Sequence, residues 1–556
     1  MKRNLSLLTE KEHDLVVIGG GAFGVCVAWD AALRGLSVAL VESGDFCQGT
    51  SANCFKIVHG GIRYLQHADL FRIRQSSRER NILLRVAPHL VEPLPIVLPT
   101  YGHGMQGKEV LKVALSLYDG LTFDRNKGIQ DKKRQIPPGC FLTREETLTL
   151  FPGLEKKGLT GAAIIHDGHM YSPPRLALSF LRSAVEAGAV VANYVKATGV
   201  MRVKDRIEGI LARDMLSQEE FEVRGKVTVN AAGPWAEEIL RNFLGLDLSP
   251  SCSFSRDACF VVRRQLVGKY ALAVKSRTSD PDAILRRGGR HLFVVPWRNY
   301  TLIGVWHVVY PGSPDEFTVT VQDLQHFLDE VNDAYPAFDL TLKDISNWNA
   351  GLVLFGENTP GAINLSYGKR SRIIDHSLTH GLERLITLIG VRYTTARYEA
   401  VNVVNLVCQK LHMKVHATQT DSTPIYGGKI GCFTEFLKQA MEERPSSVRV
   451  DSLSSLVRNH GSEYQRVLDL TEDPLILGDT IGRSHVLKAE ILHAVREEMA
   501  VRLADVVMRR TDLGTGEYPG GPALEQCAEI MGRELGWTPA RQENEVREMR
   551  EAYPIR

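Results

Sequence analysis

The chain has 556 residues, 44% of them hydrophobic, and a formal net charge of +2. That length can bury a large core and points to two or three domains. The near-neutral balance, with Lys and Arg scattered rather than gathered in blocks, excludes nucleic acid as a partner. The opening "MKRNLSLLTEKEHD" has no apolar segment behind its two basic residues, so no secretory signal is predicted. No apolar run approaches the roughly eighteen residues of a membrane-spanning helix. Nine cysteines without a C-x-x-C pair fit a reducing cytoplasm better than a disulfide framework. A cytoplasmic location is expected. Peripheral attachment to the inner face of a membrane stays open, because it needs only a surface patch.

The first element pattern is "HDLVVIGGGAFGVCVAWDAALRGLSVALVESG". Leu15 to Ile18 is an apolar run bounded by glycines, as a fully buried parallel strand would be. Gly19, Gly21 and Gly24 then supply G-x-G-x-x-G: the first for the turn, the second for close approach of a pyrophosphate, the third for helix–strand packing. The helix that follows would present its amino terminus to the phosphates. Val38 to Val41 reads as the second strand and ends in Glu42, at about the twenty-residue spacing expected of the acid that binds a ribose 2′-hydroxyl. An acid there disfavours the 2′-phosphate of NADP. A dinucleotide site is therefore predicted, FAD or NAD.

The next distinctive block, "FKIVHGGIRYLQ", sets paired glycines against Arg63 and Tyr64. Further on, "HDGHMYSPPRLALSFL" places Pro173-Pro174-Arg175 at the start of an apolar-periodic helix; proline there needs only its preset φ. Arg175 reads as a solvated or capping residue, and His169 is ambiguous. "GKVTVNAAGPWA" gives another apolar strand leading into Ala232 and Gly233. "ERLITLIGVRYTTARYEAVNVV" gives a third, then Gly390, Thr394 and Thr395 before a helix. This repeated return of the chain favours FAD over NAD, whose domain normally keeps its sheet in one continuous stretch. Near the carboxyl end, "EILHAVREEMAVRLADVVMRR" spaces Ile491, Leu492, Val495, Met499, Leu503, Val506 and Val507 like one face of a helix, a core stripe. No metal site is predicted.

Taken together, "DLVVIGGGAFG", "GTSANCFKIVHGGIRYLQ", "RVAPHLVEPLPIVLP", "VNAAGPWA", "FVVPWRNYTLIG" and "IGVRYTTARYEA" resemble, in order and over most of the chain, the FAD-dependent glycerol-3-phosphate dehydrogenases and oxidases. The "TPIYGG" link into a helical carboxyl-terminal region is similar too. The resemblance implies an α/β plus α+β fold in three parts. A Rossmann-like FAD-binding domain is assembled from residues 1–90, 160–250 and 350–412. An antiparallel-sheet substrate domain (91–159 and 251–349) is interleaved with it. A linker (413–430) leads to a C-terminal helical domain (431–556). The implied cofactor is FAD, and the implied activity is oxidation of a CH–OH carbon, of glycerol 3-phosphate or a related anionic polyol or hydroxy acid. Quinone or oxygen would accept the electrons, and a homodimer is conceivable. Two alternatives stand beside it: an amine or amino-acid oxidase of the same superfamily, and a non-catalytic FAD-binding subunit.

Residue by residue, the resemblance puts Thr50, Ser51, Lys56, His59, Gly60, Gly61, Ala232, Gly233, Gly390, Thr394 and Thr395 on the cofactor, with Gly19, Gly21, Gly24 and Glu42. It puts Arg63, Tyr64 and Arg392 at the catalytic centre, and Arg63, Arg370, Arg392 and Cys259 around the substrate. Arg372 is an alternative to Arg370. Guanidinium forks match the oxygens of an anionic substrate, which must be held rigidly over the flavin. The sequence departs from the family's pattern at several pocket positions. Val353 stands where a phosphate-binding arginine belongs, and Val391 and Arg392 stand for a glycine and a lysine. Cys259 replaces a histidine proposed to serve the proton. Trp306 and His307 replace a threonine and an aspartate, so His307 becomes the candidate base, although a structural histidine is the alternative. Arg286 and Arg287 are further candidates for the anion, with an exposed strand edge as their ordinary setting.

Overall fold

In this computed structural model, residues 1–103, 107–248, 252–276, 290–356, 370–414, 416–472 and 478–553 are described. Arg286 and Arg287 lie outside them. Two sheets organise the first three-quarters of the chain. In the first, the order is Arg372–Asp375, Leu385–Ile389, Glu220–Asn230, His13–Ile18, Val38–Val41, Val190–Ala192. Along this order the pairings are parallel except that of Arg372–Asp375 with Leu385–Ile389, and an antiparallel extension, Val195–Val203 and Arg206–Asp214, pairs onto Glu220–Asn230. Both predicted strands of the dinucleotide motif and the two later apolar runs are thus neighbours. Parallel strands buried on both faces read as continuous apolar runs, which is why they were legible. Helices Ala22–Leu33, Pro173–Glu186 and Ala396–Lys410 pack on one face, where Trp29 and Phe180 meet at 5.2 Å between ring centroids.

The second sheet runs Ile345–Leu354, Phe254–Val262, Tyr300–Tyr310, His291–Trp297, Ala271–Lys275, Val91–Tyr101, Leu159–Met170, Ile57–Val58, antiparallel except between Ala271–Lys275 and Val91–Tyr101. Helix Val321–Ala334 covers one face, with Phe327 against Phe260 and stacked on Trp306. Helix Lys108–Leu121 and the segment around Phe55, Ile57 and Ile62 cover the other. The expected boundaries do not follow these sheets. Leu159–Met170 pairs along its length with Val91–Tyr101, so residues 160–170 leave the dinucleotide-binding part for the second sheet. Ile57–Val58 and most of Ile345–Leu354 join the same sheet.

The carboxyl-terminal region is helical, through Phe433–Glu442, Val450–His460, Lys488–Glu498, Gly521–Leu535 and Pro539–Glu551. The apolar stripe from Ile491 to Val507 is buried but is not one helix. Lys488–Glu498 stops at Met499, whose φ is +55°, and helical structure resumes at Leu503. Asp505 makes the restart by accepting the Val501 and Arg502 N–H groups, both at 2.9 Å. Arg175, expected to be solvated or capping, is buried instead. Its Nη1 donates to Glu498 at 2.6 Å and its Nε to the Asn459 carbonyl at 3.2 Å, joining helix Pro173–Glu186 to the C-terminal helices.

Candidate functional site

Three parallel strands end together, at Ile18, Asn230 and Ile389, and the turns after them touch. A Cβ on Gly19 (φ +106°) would lie 2.7 Å from the Ala231 carbonyl, and one on Gly24 would lie 1.9 Å from the Gly19 carbonyl. Both glycines are therefore required by close packing of turn, helix and neighbouring strand. Gly21 differs. Its backbone is ordinary extended chain (φ −76°), and a Cβ would meet only the Ser51 hydroxyl, at 3.2 Å. The fold itself does not need glycine there; what it leaves is room at the amino terminus of helix Ala22–Leu33, where a pyrophosphate would sit. Ser51 Oγ accepts the Ala22 N–H at 2.9 Å. Glu42 accepts from the Gly20 N–H at 2.7 Å and the Gly44 N–H at 2.9 Å. Burial pushes its carboxyl up from the ordinary value while these donors oppose the rise.

The other cofactor candidates divide into lining and scaffold. Gly233 (φ +60°), beside Ala232, faces open space. Thr394 and Thr395 are buried at the start of helix Ala396–Lys410. Thr50 donates to the Leu352 carbonyl at 2.9 Å, which ties the loop to the second sheet. Gly390 is demanded by Phe23, whose ring would be 2.0 Å from an added Cβ. Lys56 (φ +64°) is buried, its ammonium 4.6 Å from the Trp297 ring centroid with no hydrogen-bond acceptor among the described residues. Burial draws its pKa down. An unanswered buried donor, the room at Gly21 and the spaced acid fit an FAD, whose phosphates and ring carbonyls supply acceptors.

Gly60 and Gly61 are not explained by a cofactor. A Cβ on Gly60 would meet Arg80 Nη1 at 2.1 Å and the Tyr118 hydroxyl at 2.3 Å. The Gly60 N–H donates to Asp167 Oδ1 at 2.5 Å, and Tyr118 donates to the Gly60 carbonyl at 2.9 Å. Arg80 completes the clamp, donating to Asp167 at 2.8 Å. Gly61 (φ +84°) supplies the left-handed turn that opens the short helix Ile62–His67. Arg80, Tyr118 and Asp167 come from three separate elements and carried no signal in the sequence.

That clamped turn delivers Arg63 and Tyr64. Arg392 Nη1 donates to the Tyr64 hydroxyl at 2.6 Å across 328 residues of sequence, and the guanidiniums of Arg72 and Arg392 lie 4.5 and 5.1 Å from the Tyr64 ring centroid. His59 meets Tyr64 edge-on. Its burial, reinforced by Arg392, Arg63 and Arg80, lowers its pKa to about 3, so the imidazole is neutral. Arg370 is exposed, with its guanidinium 5.8 Å from the Phe71 ring centroid, at the rim rather than in this cluster. Arg372 donates to Cys252 Sγ at 3.3 Å.

Cys259 is buried in the second sheet opposite Gly304 and Asn349. Burial pushes its thiol up to about 11, against the pull of Lys56, so it holds its proton and cannot act as the base that a histidine would supply. His307 sits directly across from Asp257, and its Nδ1 is 2.8 Å from Asp257 Oδ1. Asp257, which sequence reasoning missed, also accepts from Ser255 at 2.5 Å. The nearby strand places Val353 opposite Ser255, so hydrocarbon flanks the pair. Among the described residues, one group of potential metal ligands lies close together, His460, His493 and Glu498. Glu498 is already paired with Arg175 and Arg182, at 2.6 and 3.1 Å, and that surplus positive charge disfavours a cation.

The chain is similar to known proteins over nearly its whole length. Residues 14–366 match the family described as FAD dependent oxidoreductase, and residues 418–542 match the C-terminal domain of alpha-glycerophosphate oxidase. A glycerol-3-phosphate dehydrogenase of Synechocystis sp. is 31% identical, with 99% of this chain and 98% of the relative covered. The human mitochondrial glycerol-3-phosphate dehydrogenase is 28% identical, with 96% and 72% covered. In fold, the Bacillus halodurans glycerol-3-phosphate dehydrogenase solved with FAD superposes with a TM-score of 0.73 at 24% identity, covering 99% of this chain and 96% of that one. The chain is an FAD-dependent oxidoreductase, and it belongs to the family of the glycerol-3-phosphate dehydrogenases.

Proposed function

We propose that this enzyme oxidises the CH–OH carbon of glycerol 3-phosphate, or of a closely related anionic polyol, to the ketone. The observation that carries the reading is the Arg392–Tyr64 hydrogen bond at 2.6 Å, which joins two distant family-like motifs at the turn that bears Arg63. Arg63 and Arg392 hold the anion, and Tyr64 fixes the Arg392 fork. His307, oriented by Asp257, accepts the hydroxyl proton. FAD, when bound, is the hydride acceptor. The neutral His59 serves to pack Tyr64 rather than to carry charge. Val353 removes one guanidinium from the pocket, so the anion depends more heavily on Arg392. The assay is anaerobic titration: glycerol 3-phosphate should bleach the flavin and yield dihydroxyacetone phosphate. Bleaching by amines with release of ammonia, or by no substrate of either class, would overturn the reading.

The proposal extends to the electron acceptor. Leu70, Phe71, Val113, Leu117 and Phe123 are all at or above half exposure, at the start of helix Leu70–Val86, along helix Lys108–Leu121 and just beyond it. Arg74 fastens the two helices together by donating to the Leu121 carbonyl at 2.7 Å. So apolar a rim beside the Arg63–Tyr64 turn supports peripheral membrane contact and a lipid-soluble quinone as acceptor. No helix among the described residues is long and apolar enough to cross a membrane. Co-sedimentation with anionic lipid vesicles should be lost in Leu117→Glu; unchanged sedimentation would exclude this surface.

A further inference from the structure

The loop 42–48, which follows the second strand, is held from two sides. On one side it closes on the dinucleotide turn: Gly20 N–H donates to Glu42 at 2.7 Å, and Cys47 N–H donates to the Gly20 carbonyl at 3.0 Å. On the other side Asp45, with no exposed surface, reaches the C-terminal helices. Arg510 donates to both of its carboxylate oxygens, at 2.7 and 2.8 Å, and Arg509 Nε donates at 2.5 Å. Asn193 completes the shell, donating to Asp45 at 3.1 Å and to the Met499 carbonyl at 2.9 Å. The arginines are themselves fixed. Arg509 pairs with Asp505 at 2.8 Å, and Arg510 donates to the Glu498 carbonyl at 3.1 and 3.2 Å.

We propose that the C-terminal helical domain is part of the cofactor-binding apparatus: Arg509 and Arg510 grip Asp45 and thereby set the loop that presents Glu42 and braces Gly20. Resting on Glu42 as the ribose acid, the inference makes Asp45, Arg509 and Arg510 positioning residues for FAD. The physical basis is the rigidity of the grip. Between Glu42 and Gln48 the chain makes one tight bend, and Asp45 at its middle is its buried anchor. A carboxylate stripped of water and held by three guanidinium N–H groups cannot shift without leaving charges unpaired. The Glu42 side chain, three residues away, inherits that fixity by accepting the N–H of Gly44, Asp45's neighbour, at 2.9 Å. Preorganising a loop in this way raises ligand affinity by removing its ordering cost.

The test uses full-length apoprotein of the wild type and of Asp45→Asn, Arg510→Lys and Glu42→Gln. FAD affinity is read by flavin fluorescence, ADP affinity by competition, and unfolding temperature with and without FAD. Asp45→Asn and Arg510→Lys should each raise the Kd for FAD at least tenfold, weaken ADP in parallel, and shrink the rise in unfolding temperature that FAD confers. If both variants lower the unfolding temperature of apo and holo protein equally and leave the Kd unchanged, the grip is a structural pin only and the proposal falls. Glu42→Gln separates the two layers. Unchanged FAD affinity there would sink the ribose reading, whereas weakened affinity with unaffected Asp45→Asn and Arg510→Lys would sink the grip alone. Arg510→Lys keeps the charge, so it provides the answer if Asp45→Asn does not fold.

Discussion

Tyr64→Phe isolates the contact on which the functional reading rests. The substitution keeps the ring, so the Arg72 guanidinium 4.5 Å from its centroid and the buried packing of the side chain are retained. What disappears is the acceptor for Arg392 Nη1 at 2.6 Å. A hydrogen bond from a charged donor contributes about 1.5–3 kcal/mol. Loss of that orientation should lower kcat/KM for glycerol 3-phosphate by about tenfold to a hundredfold, at about 1.4 kcal/mol per decade. Arg392→Met removes the charge as well and should cost more. The pair acts as one unit, so the double variant should be scarcely worse than Arg392→Met alone. Stopped-flow reduction of the bound flavin measures all three, with flavin content read from the oxidised spectrum. Additive losses would show that Tyr64 and Arg392 act independently. Loss of FAD from a folded Tyr64→Phe protein would show that the turn faces the cofactor's binding groups instead of the substrate.

Three further outcomes are expected. Gly21→Val should yield a folded apoprotein without flavin, because its backbone is ordinary and a Cβ meets only Ser51; full flavin incorporation would refute the cradle. His307→Gln should slow flavin reduction strongly, while Asp257→Asn, which loses only the group that orients the imidazole, should slow it less; unaltered reduction in both would remove the pair from the chemistry. The protein should also be acid-labile. Burial draws His59 and His89 down to about 3 and His166, His169 and His376 to about 4, whereas an unfolded histidine titrates near 6.5. The unfolded state therefore binds the extra protons, so this stability is complete above about pH 6.5 and is lost as pH falls toward 4. At about pH 5.5 each of the fully buried three, His59, His89 and His169, costs roughly 1.4 kcal/mol, and the partly exposed His166 and His376 cost less. An unfolding temperature unchanged between pH 7.5 and 5.5 would contradict it.

What the sequence made legible follows the range of the interactions involved. Gly19, Gly21, Gly24 and Glu42 fall within one short strand–turn–helix–strand window, where periodicity and glycine spacing report the local physics directly. Arg63, Tyr64 and Arg392 were legible only through resemblance, because nothing in either segment announces a hydrogen bond across 328 residues. The apolar stripe from Ile491 to Val507 was legible as core yet not as a broken helix, since its period survives the interruption at Met499 that Asp505 enforces.

The illegible remainder has a common cause in register and domain contact. The assignment of residues 160–170 failed because alternation along Leu159–Met170 cannot say which sheet will take the strand. Asp257 was passed over because only the pairing of Phe254–Val262 with Tyr300–Tyr310 brings it opposite His307. Arg175 read as solvated or capping because its partner, Glu498, lies 323 residues on. Gly60 was placed on the cofactor by resemblance, but the atoms a side chain there would meet are those of Arg80 and Tyr118. In each case a polar side chain was judged by its sequence neighbours, while its free energy was set by a buried partner far along the chain. The same holds for Asp45, three residues beyond Glu42, whose anchor lies 465 residues away. A cofactor loop that looks self-contained in sequence is thus completed by the far end of the chain, and the C-terminal domain becomes a condition of the site rather than an appendage to it.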